Sequence, residues 1–111
     1  MKNADEYYTF VKNRGYALLG VADLVLTLND ALTAVALARE AEIVILGGDV
    51  YVRRSGEIMP AYANWHTDRR QGESKAAYAR RTWKETEAYL RGYPKSQNEE
   101  PLFALVTDDK P

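Results

Sequence analysis

The chain is predicted to be an α+β protein, one domain over residues 1–111 in which a mixed, twisted β-sheet is packed by two main helices, with a further helix at the N-terminus. Three observations predict this. A length of 111 residues supports one continuous core and is too short for two. With 46% hydrophobic and 28% charged residues, the composition is that of a globular chain and not of a disordered one. The apolar spacing alternates between a helical and a two-residue period, giving the order α-β-α-β-β-β-α-β.

Asn3 is placed to cap a first helix while Glu6 reaches back to it. Tyr7, Phe10, Val11 and Arg14 then follow at helical spacing until Gly15, which predicts a helix over residues 4–14. Ala22, Leu24, Leu26 and Leu28 alternate with Asp23, Val25 and Thr27, the pattern of a strand with one buried face. Thr27 and Asp30 form a T-x-x-D capping signal ahead of a mostly apolar helix over residues 28–41. Glu42 to Leu46 is a short β-branched run that ends at Gly47-Gly48, and strand-helix-strand predicts a crossover between parallel strands.

Val50 to Val52 and Glu57 to Met59 flank Arg53-Arg54-Ser55-Gly56, which predicts a β-hairpin. Pro60 donates nothing to a ladder, so an edge position or a bulge is expected near it. After the polar stretch TDRRQG, residues Ala76, Ala79, Trp83, Thr86 and Leu90 mark an amphipathic helix over residues 74–91, closed by Gly92 and Pro94. Leu102 to Thr107 makes the final strand.

The charge excludes several classes of function. Fifteen basic and 16 acidic residues leave a formal charge of −1, so neither nucleic acid nor a membrane surface is an expected partner. Arg69, Arg70, Lys75, Arg80, Arg81 and Lys84 give the long helix a basic side, interleaved with Glu85 and Glu87 and read as a solvated face. Cysteine is absent, which removes disulfides and thiolate chemistry, and the N-terminus lacks the apolar core of an export signal. A cytoplasmic location is expected.

Chemistry has few carriers. Gly47-Gly48-Asp49 forms neither a P-loop nor a dinucleotide fingerprint, and the spacing favours a structural turn in which Asp49 locks its own loop. His66 is the only histidine, so no two-histidine metal site forms within one chain, and no metal or other cofactor is expected. His66 with Asp68 or Asp49 and a serine such as Ser55 or Ser74 would make a triad, but no G-x-S-x-G elbow supports it. A small hydrolase or small-molecule-binding protein using the Asp49 and His66 region is therefore the lesser alternative. Tyr51, Tyr62, Trp65 and His66 fall in the hairpin region, and such aromatics serve equally as partner anchors or as core.

The run ILGGDVY at residues 45–51, the pair Asn64-Trp65, a long helix and a closing LFALV strand resemble the immunity protein 40 family of bacterial polymorphic toxin systems. The similarity spans about Val21 to Val106 and involves Gly47, Gly48, Asp49, Val50, Tyr51, Asn64 and Trp65. It implies a cytoplasmic, non-enzymatic protein whose partner is a cognate toxin encoded by a neighbouring gene. Asp49, Tyr51, Trp65 and His66 are the candidate contact residues; Gly47, Gly48, Val50 and Asn64 are the structural part of the motif. A monomer or weak homodimer, joined through an exposed strand edge, is the expected state.

Overall fold

The computed structural model describes residues 4–108, so the expected cap at Asn3 lies outside the described residues. The elements are α1 (Ala4–Arg14), β1 (Leu26–Thr27), α2 (Leu28–Ala41), β2 (Ile45–Arg54), β3 (Glu57–His66), α3 (Lys75–Gly92) and β4 (Glu100–Thr107).

The helices form where local signals put them. In α1, Asp5 and Glu6 occupy the first turn and Lys12 and Arg14 the last, each sign opposing the partial charge of its helix end. Gly15 ends α1 with its N–H on the Val11 carbonyl at 2.8 Å, and a Cβ there would stand 2.6 Å from that of Leu24. Thr27 caps α2 by accepting the Asp30 N–H, and Ser74 caps α3 by accepting that of Ala77.

The first strand is shorter than the alternation predicts: only Leu26 and Thr27 pair with a neighbour strand, while Val25 bridges back to Tyr16. The two runs expected to be separate strands around the glycines are one ten-residue strand, β2, which passes through Gly47-Gly48. The turn expected at those glycines is therefore absent. The hairpin turn is at Ser55-Gly56, both at positive φ (52° and 82°), the two-residue geometry that matches strand twist.

The sheet order is β1-β4-β2-β3, and every neighbouring pair is antiparallel. The α+β class holds, but the mixed sheet does not. β1 and β2 do run in the same direction, as the crossover requires, yet β4 inserts between them and converts both contacts to antiparallel pairs.

One face of the sheet carries the helices. Leu26, Ile45, Val50, Phe103 and Leu105 meet the apolar sides of α2, Val35 among them, and of α3 in one buried cluster, joined by Tyr7 of α1. The opposite face is covered only in part: Val25 and Leu18 from the connection after α1 pack on Leu102 and Ala104, beside Tyr51 and Ile58. The rest of that face, toward the end holding Gly47, is open and positions the motif residues.

Candidate functional site

Residues opposite one another in a ladder project to the same side of the sheet, and consecutive residues project to opposite sides. Asp49 lies opposite Asn64 and Ala104, Tyr51 opposite Pro60 and Leu102, and Gly47 opposite His66 and Val106. Asp49, Tyr51, Asn64 and His66 therefore share the face turned away from α2 and α3. Val50 points the other way, into the core.

Trp65 departs from the expected contact set. It sits between Asn64 and His66, so its ring points to the helices, where it is only 9% exposed. Its indole N–H donates to Thr86 Oγ1 at 3.1 Å, and the ring stacks on Tyr89 with centroids 4.6 Å apart. The paired glycines exist for this ring and its strand. A Cβ on Gly48 would fall 2.4 Å from Trp65 Cη2 and 2.2 Å from the Ala104 carbonyl oxygen. One on Gly47 would fall 2.1 Å from the Trp65 carbonyl oxygen. Gly47, Gly48 and Trp65 are thus one packing unit spanning two strands.

Above that unit, on the open face, Leu46, Gly47, Asp49, Asn64, His66 and Val106 line a shallow depression of about 220 Å³. Among the described residues, neither the Asp49 carboxylate nor the Asn64 amide makes a side-chain hydrogen bond. His66 Nε2 lies 3.7 Å from Asp68 Oδ2, with both side chains largely in solvent. Partial burial pushes the Tyr51 hydroxyl above its ordinary pKa, and the carboxylates of Asp49 and Asp23 push it further. The two arginines at the far end of β2 are neutralised, Arg53 by Glu100 at 2.8 Å and Arg54 by Glu99. Asp49 has no such partner among the described residues.

No triad assembles here. Ser74 is engaged as the cap of α3, and Ser55 lies eight residues from Gly47, roughly 26 Å along an extended strand at about 3.3 Å per residue. The depression is also smaller than the ~300 Å³ at which small-molecule pockets begin. Surface contact is the chemistry this arrangement supports.

The sequence pattern of the immunity protein 40 family matches residues 16–107. The chain belongs to that family. Membership marks it as an immunity protein of toxin systems, and the match takes in every strand together with α2 and α3, leaving α1 outside. Comparison with curated proteins and with solved structures gave no match. Among the described residues no helix is long and apolar enough to cross a membrane.

Two further surfaces of this immunity protein bear on contact. On α3, Glu85 is held by Arg81 and Thr67, and Glu87 by Arg91 and Arg39. Lys75, Arg80 and Lys84 have no carboxylate partner among the described residues, leaving a basic ridge on the helix side of the molecule. On β3, the register moves from Val50↔Ala63 to Tyr51↔Pro60, so Ala61 and Tyr62 have no counterpart on β2. This is the irregularity that Pro60 announces. Tyr62, one of the hairpin aromatics, projects from it and is exposed, whereas Trp65 is core.

Proposed function

We propose that this immunity protein binds and neutralises a cognate toxin encoded by a neighbouring gene, by occluding the toxin's active site or surface, in the cytoplasm of the producing cell and without catalysis of its own. The observation that carries this is the family match over residues 16–107, which encloses the whole sheet. The geometry supplies a surface for it: Asp49, Tyr51, Asn64 and His66 present hydrogen-bonding groups on one open sheet face. Trp65 supports that face from beneath. Asp49, Asn64 and His66 are exposed, Tyr51 is half-buried beside Leu102, and groups already held by a ladder bind with little ordering cost.

Co-expression with the product of the adjacent gene tests the proposal, scored by rescue of growth and by a complex that survives purification. Rescue with a complex is the expected result. Continued growth arrest with no complex would overturn it.

A further inference from the structure

The edge strand β3 carries a feature that the fold itself does not use. Tyr62 adopts φ 57°, a left-handed conformation that an aromatic residue rarely takes, and its side chain is 92% exposed. It makes no hydrogen bond or ring contact among the described residues. Half-buried tyrosines of this chain pack on neighbours, as Tyr89 does on Trp65. Tyr62 gains nothing inside the molecule for the strain it holds. A bulge of this type bends a strand and re-aims a side chain.

The same segment governs how a partner can approach. β3 is an outer strand of the sheet, and an unbroken outer strand invites strand addition. Here Pro60 lacks the N–H needed, and the two unpaired residues after it throw the edge out of register. A ladder with another chain could not run in register along the whole strand through residues 60–62. Docking by side chains is left, and Tyr62 is the large group projecting there.

Charge specifies the other half of the contact. Asn64, two residues beyond Tyr62, faces Asp49 across the ladder. Arg53 and Arg54 of the same sheet are already paired with Glu100 and Glu99, so the carboxylate of Asp49 is the charge left without a counter-ion on this part of β2. A cationic side chain fits that position, and a ring beside it adds to the attraction.

Resting on the proposed function, we infer that the toxin docks side-on against the β2–β3 edge, with Tyr62 as the aromatic anchor and Asp49 receiving a lysine or arginine of the toxin, and not by strand addition. A tyrosine that fills a partner's pocket is worth enough that truncation costs about 30-fold in Kd.

The test titrates the full chain and its variants against the purified product of the adjacent gene. Tyr62→Ala is expected to weaken binding by about 30-fold or more, and Asp49→Asn by about tenfold with a flatter dependence on salt. Tyr62→Gly, which relieves the positive φ, is expected to melt no lower than the wild type while binding as poorly as Tyr62→Ala. The double variant Arg80→Glu, Lys84→Glu on α3 is expected to bind within threefold, about the scatter of surface changes outside a contact. If the wild type binds but Tyr62→Ala and Asp49→Asn bind equally well, the inference is overturned and the proposed function stands. If the α3 double variant alone loses binding, the contact is on the basic ridge. If the wild type itself does not bind, it is the underlying function that fails.

Discussion

Trp65 and Tyr89 stack with an interplanar angle of 25°, β3 against α3, and the ring edge of Trp65 lies over a glycine of the neighbouring strand. This contact explains the paired glycines better than any loop or ligand does. Gly48→Ala is expected to destabilise the protein by about 1–3 kcal/mol or more, because the new methyl meets both an indole and a backbone oxygen. Urea unfolding checks this; a midpoint unchanged from the wild type would show that the ring does not sit there.

Trp65 also tests the boundary between scaffold and contact. Trp65→Ala removes a buried indole and is expected to cost about 3–5 kcal/mol in unfolding free energy. Thr86→Val keeps the shape but leaves the indole N–H without its acceptor, for a loss of about 1–3 kcal/mol. A Thr86→Val protein as stable as the wild type would remove that hydrogen bond from the account.

Arg81 gathers the segment between β3 and α3. It donates to both carboxylate oxygens of Glu73, at 2.8 and 2.9 Å, and to the Asp68 carbonyl at 2.6 Å. These bonds, with the Arg70 backbone N–H, hold the Glu73 carboxyl down at about 2 against an ordinary value of 4.5. A carboxyl depressed in the folded state stabilises it fully above the unfolded pKa and loses that contribution as protons bind. Stability is therefore expected to fall between about pH 4.5 and pH 2, and Glu73→Gln to flatten the curve in that window. Denaturant melts across that pH range, compared between the two proteins, decide it; parallel curves would refute the assignment.

At the hairpin, Ser55 and Gly56 both hold positive φ. Asparagine enters the left-handed region more readily than serine does, so Ser55→Asn is expected to stabilise by about 0.5–1 kcal/mol. Thermal unfolding measures it, with a lower midpoint counting against the turn geometry.

Most of the fold was legible locally. The cap at Thr27 and the spacing of Trp83, Thr86 and Leu90 are signals contained within their own helices. What was not legible depends on partners distant in the chain. Gly47-Gly48 looks like punctuation because the reason for it, the ring of Trp65 against Gly48 and its carbonyl against Gly47, arrives on another strand. β1 and β2 look like neighbours because nothing near them announces that β4 will come between. The candidate surface was half legible: Asp49 and Tyr51 are two apart and share a face, but Trp65 and His66 are consecutive, and strand periodicity alone forbids them a common side.

The place of β4 in the sheet sets when the molecule becomes itself. Among the described residues, the ladder joins β1 to the β2–β3 hairpin only through residues 100–107, which pair with both β1 and β2. During synthesis, therefore, β1 and the β2–β3 hairpin lack their common partner until residues 100–107 are made, and the native ladder closes in one long-range step. A chain interrupted before that strand would be left with two open edges and no centre. The sheet is complete only once β4 has taken its place between β1 and β2.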